Sequence, residues 1–285
     1  MTKVDGIHRA KDLTENIWAL YRGESQKRYY CGFRSIDNYF KIIKPSFNLF
    51  TGTPNSGKSS LTLEIAMRTS IEHGFKYMIF SPEHSSAVNL KRLVEKYCKK
   101  PFDHMFSNRA SETEVINAIE HIHEHFLFVD KREDSPDIDW ILERARACHE
   151  EFNIDGLLLD PYNEINPNRA SLREDEHISL LISKIKRFNR ETETCTFLVA
   201  HPTKQIRNAD GMFTVNSLYD VSGSAHWNNK ADVGIIVTRD YENHVTKIRI
   251  AKIREIDVQG NVGECTIRWN NNTKCFEDFD NIGEI

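Results

Sequence analysis

The strongest constraint on the fold is the segment FNLFTGTPNSGKSS, where an apolar strand pattern passes through a turn of small residues into an amphipathic helix. Residues 52–59 match the phosphate-binding pattern G-x-x-x-x-G-K-S/T. The backbone N–H groups of such a turn point inward and the helix adds its positive dipole end, so phosphate oxygens find donors there. The alternative is a chance match in a loop rich in glycine and serine.

We call residues 52–60 the cradle and predict that they bind a nucleoside triphosphate such as ATP together with Mg²⁺. Lys58 would reach the β- and γ-phosphates, and Ser59 would bind Mg²⁺. The members of the cradle are Gly52, Thr53, Pro54, Asn55, Ser56, Gly57, Lys58, Ser59 and Ser60.

The composition limits the class of protein. With 285 residues, 39% of them hydrophobic, the chain can bury the core of one large domain. No apolar run is long enough to cross a bilayer and the first residues lack the apolar stretch of a signal peptide, so we expect a cytoplasmic protein, bacterial or phage-encoded, with no membrane partner. A net charge of −4 excludes a globally basic surface and confines any DNA contact to a local patch.

The cysteines and histidines do not form a zinc pattern. The six cysteines show no C-x-x-C spacing, and Cys265 and Cys275, which could face each other across a hairpin, are expected to be packed thiols. His121, His123 and His125 alternate at the end of a predicted helix, yet no acid or cysteine completes a ligand set. We therefore expect reduced cysteines, no disulfide and no zinc.

Residues 1–44 are predicted to form an arm and residues 45–285 a single α/β domain. The arm has one apolar helical stripe, formed by Leu13, Ile17, Leu20 and Tyr21. Because a single stripe cannot make a core, the arm must dock on another surface. Beyond it, strand-like and helix-like segments alternate, which predicts a mainly parallel sheet with an antiparallel continuation formed by the strands from residue 233 onward.

The predicted elements follow from hydrophobic periodicity. Helices are expected from the cradle to residue 73 and at 86–99, 111–124, 137–152 and 175–190. Strands are expected at 47–50, 77–80, 126–129, 156–159, 196–200, 233–238, 245–253, 263–269 and 275–279, and a mobile loop at 202–217.

Four predicted strands end at residues that could handle a phosphate, namely Gly52, Glu83, Asp160 and His201. Ligands of open α/β sheets bind beyond the carboxyl ends of the strands, so these side chains are the candidates. Asp160 follows three leucines, the pattern of a Walker-B acid, and would hold Mg²⁺ opposite Ser59. An aspartate at a strand end also commonly begins a turn.

The other two strand ends allow two interpretations each. Glu83 could deprotonate the attacking water, or it could be an acid at a helix N-terminus. His201 could hydrogen-bond the γ-phosphate, or it could be structural.

Lys252 and Arg254 lie two residues apart in a predicted strand, so both project to the same face. Paired cations can be a solvated edge. They can equally be an arginine finger for the nucleotide of a neighbouring subunit. The pattern alone does not decide between the two.

Six segments, GTPNSGKS, FSPEHSS, LLLDPYNE, LVAHPTK, LYDVSGSAHWNNKAD and KIRIAKIRE, occur in the order found in one known family. Over about residues 28–279 the chain resembles the RecA-like domain of DnaB-type hexameric replicative helicases, most closely the helicase half of primase-helicases and Twinkle. The resemblance implies a RecA-like, Mg²⁺-dependent ATPase that assembles as a ring, usually a hexamer, and moves 5′ to 3′ on single-stranded DNA.

The resemblance also implies roles by position. It assigns phosphate and metal binding to Lys58 and Ser59, the catalytic base to Glu83, the Walker-B acid to Asp160 and the γ-phosphate sensor to His201. The arm would pack on the next subunit.

Further roles follow from the same resemblance. Lys252 and Arg254 would be the finger that acts in the neighbouring subunit, and Arg239 and Phe276 fall near positions that enclose the base. The DNA-binding loops map to 202–217 and 222–230, where the basic residues are Lys204, Arg207 and Lys230. The primase half of such proteins has no counterpart here, so priming would fall to a separate primase, and loading to a possible loader.

We therefore expect an ATP-dependent, ring-forming DNA helicase. The main alternative is a RecA-like DNA-dependent ATPase that loads or remodels nucleoprotein without unwinding. A non-catalytic nucleotide-binding ring conflicts with the intact Glu83 and Asp160. A small-molecule kinase would need an acceptor pocket and a cationic lid, which the motif order after His201 does not indicate.

Overall fold

The computed structural model describes residues 7–24, 27–130, 136–167, 172–202, 206–207, 213–215, 217–221, 223 and 225–279, with the backbone alone at 206–207 and 213–214. The α-helices are α1 (Thr14–Tyr21), α2 (Arg34–Asp37), α3 (Lys58–His73), α4 (Ser86–Cys98), α5 (Glu112–His125), α6 (Ile138–Phe152), α7 (Glu174–Thr192), α8 (His226–Lys230) and α9 (Ile256–Gln259). The strands are β1 (Ser46–Gly52), β2 (Tyr77–Phe80), β3 (Phe126–Phe128), β4 (Gly156–Leu159), β5 (Cys195–Val199), β6 (Ile206–Arg207), β7 (Phe213–Thr214), β8 (Val233–Asp240), β9 (Val245–Ile253), β10 (Gly263–Asn270) and β11 (Cys275–Asp278).

The central sheet has the order β11-β10-β9-β8-β1-β5-β4-β2-β3. Strands β8, β1, β5, β4, β2 and β3 pair in parallel, whereas β9, β10 and β11 continue the sheet in antiparallel fashion. The predicted α/β class, with a mainly parallel sheet and antiparallel C-terminal strands, is confirmed.

Strand β8 departs from the prediction in its direction. We expected it to begin the antiparallel part, but it runs parallel to β1, with Asn48 opposite Val233. The reason is its connection, since the chain between β5 and β8 includes α8 and is long enough for a crossover, which parallel strands require. The antiparallel part starts only at the hairpin between β8 and β9.

Helices cover both faces of the sheet, so β1 is buried along its whole length. Its side chains alternate between two apolar clusters, with Phe50 in the cluster that includes α3, α4 and α5, and Phe47 and Leu49 in the cluster that includes α6, α7 and α8. A strand buried on both faces has apolar residues at successive positions rather than at alternate ones. This is why β4, the strand before Asp160, has three leucines in succession.

The segment before β1 belongs largely to this core. Five of its apolar side chains are almost completely buried against the α3 side of the sheet, those of Cys31, Phe33, Ile36, Phe40 and Ile42. We predicted that the arm ends and the domain begins at residue 44. In the structure, the residues that are buried in the core of the domain begin at Cys31. The four-residue helix α2 is too short to show a helical period in the sequence.

The exposed part of the arm comprises residues 7–24. Helix α1 has no buried residue. The large apolar side chains of this helix and of Leu13, which precedes it, are between 44% and 81% exposed, namely Leu13, Ile17, Trp18, Leu20 and Tyr21. The predicted stripe is thus present but covered by nothing within the described part of this chain.

Three further predictions concern local features. The capping box of Ser111 and Glu114 begins α5 as expected. All six cysteines carry free thiols. Within the predicted loop 202–217, the described residues include a short antiparallel pair, β6 with β7.

His121 lies within hydrogen-bond distance of the Ser70 hydroxyl, at 2.8 Å, and stacks on His125. Where the structure describes the chain, no group of three or more histidine, cysteine or acidic side chains is placed to hold a metal ion. No helix among the described residues is long and apolar enough to cross a membrane.

Candidate nucleotide-binding site

The cradle connects β1 to α3, and two glycines allow its shape. Gly52 has a φ of 151°, and a Cβ there would lie 1.9 Å from the carbonyl oxygen of Val237 on β8. Gly57 has a φ of 94°, and a Cβ there would approach the ring of Phe276 to 2.9 Å. Any other residue at either position would be strained, so the tight turn of the backbone depends on both glycines.

Lys58 lies inside this turn and is 5% exposed. Its ammonium group donates hydrogen bonds to the carbonyl oxygens of Gly52, at 3.0 Å, and Thr53, at 2.8 Å. Burial lowers the pKa of Lys58 to about 8, against the opposing effect of the nearby carboxylates of Asp160 and Glu83. Two neutral carbonyls compensate a buried charge poorly, so an anionic ligand would be favoured here.

The donor set of the cradle fits a nucleoside triphosphate with Mg²⁺. The hydroxyl of Ser56 is buried and has no hydrogen-bond partner among the described residues. Ser59, the second residue of α3, hydrogen-bonds to Asp160, which brings a hydroxyl and a carboxylate together. Oxygen ligands of this kind suit Mg²⁺, which is usually held by one or two protein groups and by the substrate phosphates.

Asp160 follows β4 and is 4% exposed. Its backbone N–H donates to the carbonyl oxygen of Phe80 on the neighbouring strand β2, at 3.0 Å. Burial raises the pKa of Asp160 to about 6, Glu83 adds to this effect, and the hydrogen bond from Ser59 opposes it. The carboxyl is therefore ionised at neutral pH and protonated in moderate acid.

Glu83 and His201 face each other beyond the ends of β2 and β5. The Nε2 atom of His201 lies 3.6 Å from Oε1 of Glu83, and both side chains are partly exposed. Burial lowers the pKa of His201, and the ammonium of Lys58 lowers it further, while Glu83 opposes the shift. The imidazole is thus neutral at pH 7 and keeps one N–H to donate.

The backbone of His201 is hydrogen-bonded to the turn that follows β4. Its N–H donates to Oδ1 of Asn163 at 3.1 Å, so the turn after Asp160 also secures the end of β5. The four strand ends predicted to meet at one edge of the sheet do so, because β1, β5, β4 and β2 are consecutive neighbours in it.

A cavity of about 610 Å³ opens at this edge. It is lined by Pro54, Asn55, Gly57, Lys58, Ser59, Ser60, Glu83, His84, Arg92, Glu95, Lys96, His201, Trp269 and Lys274. A smaller cavity of about 400 Å³, lined by Ser46 and Gln259 among others, lies at the opposite edge and includes no cradle residue.

Several lining residues were not predicted, among them Arg92, Lys96, Trp269 and Lys274. Arg92 and Lys96 have the i, i+4 spacing that places two residues on one face of a helix. The same spacing occurs on faces that are exposed to solvent, so it does not by itself indicate a binding site. Trp269 and Lys274 come from the hairpin between β10 and β11, far from the cradle in sequence. No local pattern connects that hairpin with the cradle.

Neither of the two residues expected near the base is among the residues that line this cavity. Phe276 is 2% exposed and packs beneath Gly57 and edge-on to Trp269, with ring centroids 5.1 Å apart. Arg239 donates to the hydroxyl of Thr246 on β9 and is not among the residues that line the cavity. Trp269, whose side chain is partly buried, does line the cavity.

Lys252 and Arg254 lie side by side, as predicted, at the edge of the sheet opposite to the cradle. Both donate to carbonyl oxygens near the end of α8, and they share that of Asn229, at 3.2 and 2.9 Å. Arg254 also pairs with Asp232 at 3.0 Å. Burial lowers the pKa of Lys252 to about 8, and the charge of Arg254 lowers it further. Neither cation lines the cavity of its own chain.

The predicted DNA contacts are only partly described. Lys204 lies outside the described residues, and for Arg207 only the backbone in β6 is described. Lys230 ends α8, where its ammonium donates to the hydroxyls of Ser179 and Ser183, each at 2.7 Å.

The model of the DnaB-like helicase C terminal domain matches residues 30–278 of this chain. The chain belongs to the DnaB-like helicase C-terminal domain family. This membership confirms the resemblance predicted from the six motifs. The match begins next to Cys31, where burial in the core also begins.

Relatives of known sequence agree with this membership. The chain is 34% identical over 288 residues to the Twinkle homolog protein, chloroplastic/mitochondrial, of Arabidopsis thaliana, covering 96% of this chain and 40% of that protein. It is 22% identical over 253 residues to a probable plasmid replicative DNA helicase of Chlamydia psittaci, covering 86% and 54% respectively. The chain thus spans about half or less of these relatives.

The fold is shared with two solved structures. One is an ATPase domain, which matches with a TM-score of 0.79 and 19% identity, covering 97% of this chain and all of that one. The other is a DnaB-like replicative helicase, studied with its interactions with primase, which matches with a TM-score of 0.76 and 19% identity, covering 98% and 69%.

Proposed function

We propose that this chain is the ATP-hydrolysing motor of a ring-forming replicative DNA helicase, which moves along single-stranded DNA and separates the duplex. The observation that carries the proposal is the placement of Lys58, Ser59, Glu83 and His201 around one cavity, with Asp160 bonded to Ser59 behind it. Membership of the DnaB-like family supports the same conclusion.

The cradle would bind the triphosphate of ATP. Lys58 would exchange its two carbonyl partners for phosphate oxygens, and the buried Ser56 hydroxyl would gain a partner. Ser59 and Asp160 would hold Mg²⁺, which when bound neutralises charge on the phosphates. Arg92, which also lines the cavity, would add positive charge beside Asp160.

Glu83 would act as the general base for hydrolysis. Its carboxylate is exposed to the cavity and is not bonded to Ser59, so it remains available for a water molecule. The neutral His201, held 3.6 Å away, would donate its N–H to the γ-phosphate and so respond to its loss.

Lys252 and Arg254 would serve the nucleotide of the adjacent subunit. They lie at the opposite edge of the sheet from their own cradle, so they can reach a phosphate only across an interface. Cations delivered there would stabilise the charge that develops during phosphoryl transfer. In this arrangement each site is completed by a second copy, and a closed ring such as a hexamer would complete every site.

The exposed arm would join neighbouring subunits. The uncovered apolar side chains of α1 are suited to packing on the next copy, which would remove them from water. The segments around β6, β7 and α8 would face DNA, with Lys204, Arg207 and Lys230 as phosphate contacts. Lys230 would first have to leave Ser179 and Ser183.

Other parts of the proposal concern partners and location. A separate primase or loader would act with the ring. The chain would work in the cytoplasm of a bacterium, including one infected by a phage.

Two assays test the proposal. Steady-state ATP hydrolysis should depend on Mg²⁺ and rise when single-stranded DNA is added, and a forked duplex should be separated only with hydrolysable ATP. DNA-stimulated hydrolysis without separation of the fork would indicate a loader or remodelling ATPase instead. Absence of hydrolysis under both conditions would contradict the motor function altogether.

A further inference from the structure

His84 and Arg92 make a direct contact inside the candidate site. His84 lies in the turn between β2 and α4, one residue before the helix cap Ser85, and Arg92 lies on α4. A terminal nitrogen of Arg92 is 2.9 Å from Nε2 of His84. Both side chains line the cavity that contains the cradle lysine.

The chemistry of the contact determines the state of the histidine. A guanidinium group can only donate hydrogen bonds, so Nε2 of His84 must be the acceptor and the ring must be neutral. The pKa of His84 is lowered, mainly by burial and then by the charge of Arg92, while Glu83 has the opposite effect. The neutral form is therefore the one present at pH 7.

A neutral acceptor leaves the charge of Arg92 uncompensated by any group in direct contact with it. Among the described residues, no carboxylate oxygen lies within 4.0 Å of its guanidinium. Two nearby cations differ in this respect, since Lys96 and Arg68 both pair with Glu64, at 3.4 and 2.9 Å. Of these three cations, Arg92 alone is fixed in direction without a carboxylate in contact, and its charge acts at longer range on Asp160, whose pKa it lowers.

We propose that His84 is a positioning residue for Arg92, holding the uncompensated guanidinium in the cavity where it attracts the phosphates of the substrate. The inference rests on the proposed function, because it assumes that the cavity binds a nucleoside triphosphate. A carboxylate in place of the imidazole would orient Arg92 as well but would cancel its charge. An apolar residue in place of the imidazole would keep the charge of Arg92 but would leave its side chain free to turn toward solvent.

The test uses substitutions that differ only in the acceptor. The amide of His84→Gln can occupy the position of Nε2, whereas the amide of His84→Asn is one bond too short and His84→Leu has no acceptor. For each protein we would measure the Kd of a fluorescent non-hydrolysable ATP analogue with Mg²⁺, and kcat and KM for ATP. His104→Ala serves as the control, because this imidazole is 83% exposed and lies outside the cavity.

His84→Leu and His84→Asn should weaken nucleotide binding about five- to tenfold, whereas His84→Gln should stay within about twofold of the wild type. Arg92→Ala should lose at least as much, and the double variant His84→Leu/Arg92→Ala should resemble Arg92→Ala alone, because His84 acts through Arg92. If His84→Leu does not fold, the comparison of His84→Gln with His84→Asn decides in the same way.

An additive double variant would overturn the inference, and so would a His84→Gln protein as weak as His84→Leu. Wild-type protein that binds ATP normally, with every His84 variant unchanged, would refute the positioning role and leave the proposed function intact. Wild-type protein that binds no ATP would refute both.

Discussion

The imidazole of His201 lies 3.6 Å from the carboxylate of Glu83, although their strands, β5 and β2, are separated in the sheet by β4. The contact crosses the end of β4, where Asp160 is bonded to Ser59. A γ-phosphate in the cavity would compete with Glu83 for the imidazole N–H. The proposed base and the proposed sensor are therefore in contact, so a substitution of one alters the surroundings of the other.

The first prediction concerns Glu83. Glu83→Gln should lower kcat for ATP at least about 100-fold, because the amide cannot take a proton from water, while binding of ATP is retained. The measurement is steady-state hydrolysis together with nucleotide affinity. Glu120→Gln, on the exposed face of α5, is the matched control and should behave as the wild type. Full turnover by Glu83→Gln would remove it from the role of base.

The second prediction concerns Lys252 and Arg254. Rings of Lys58→Ala subunits or of Arg254→Ala subunits should each be inactive, but mixed rings should recover part of the hydrolysis. Recovery is expected because an intact cradle then meets an intact finger at some interfaces.

The control for this experiment is a mixture of Lys58→Ala with Glu83→Gln subunits, in which no subunit has both an intact cradle and the proposed base. This mixture should stay inactive at every ratio. If confirmed mixed rings of the finger and cradle variants show no recovery either, the two cations do not act across an interface.

The third prediction concerns the pH dependence of metal-assisted binding. Burial raises the pKa of Asp160 to about 6, and only the ionised carboxylate can hold Mg²⁺. Mg²⁺-dependent nucleotide affinity should therefore fall as the pH falls through about 6, approaching a factor of about ten per pH unit. Chelation of Mg²⁺ should remove this dependence.

The phosphates of ATP also change their protonation in this pH range and so contribute to the pH dependence of binding. Asp160→Asn has no carboxyl to protonate, so the difference between its profile and that of the wild type isolates Asp160. Identical profiles for the two proteins would argue against a metal role for this residue.

The fourth prediction separates Trp269 from Phe276. Trp269→Ala should weaken ATP affinity about tenfold and lower the free energy of unfolding less than Phe276→Ala does, because the ring is only partly buried, lines the cavity and can stack on a base. Phe276→Ala should instead lower the free energy of unfolding by about 3–5 kcal/mol, as expected for a buried ring. Denaturant titration and nucleotide binding measure the two effects. If Phe276→Ala instead lost affinity for ATP at an unchanged free energy of unfolding, Phe276 would be the residue that contacts the base.

The fifth prediction concerns the arm. Trp18→Asp should reduce assembly, because a charge would replace an exposed apolar ring proposed to pack on the next subunit. Light scattering at matched concentration would report the mass, and circular dichroism the fold. His8→Asp, a charge change on the same arm away from the stripe, should assemble normally. Unchanged mass in Trp18→Asp would exclude this ring from the interface.

Much of the fold could be predicted because its determinants are local. Gly52 to Ser59 specify a tight turn through residue type alone, and the capping box of Ser111 and Glu114 marks a helix start within four residues. The acids and the histidine that follow β2, β4 and β5 could be placed at one edge because parallel strands in an open sheet share their carboxyl ends. Periodicity and spacing carry this kind of information.

The rest depended on which distant segments pack together. Hydrophobic pattern alone did not show that Phe276 is buried beneath Gly57 while Trp269 lines the cavity, nor that Cys31 to Ile42 complete the core on the α3 side. A two-residue alternation assigns a side chain to a face but not to a neighbour. The sequence by itself therefore determined the turn, the elements and the residue types offered to a phosphate. Only the tertiary structure decided which of them meet, because contacts between remote strands and helices follow from the order and register of the whole sheet.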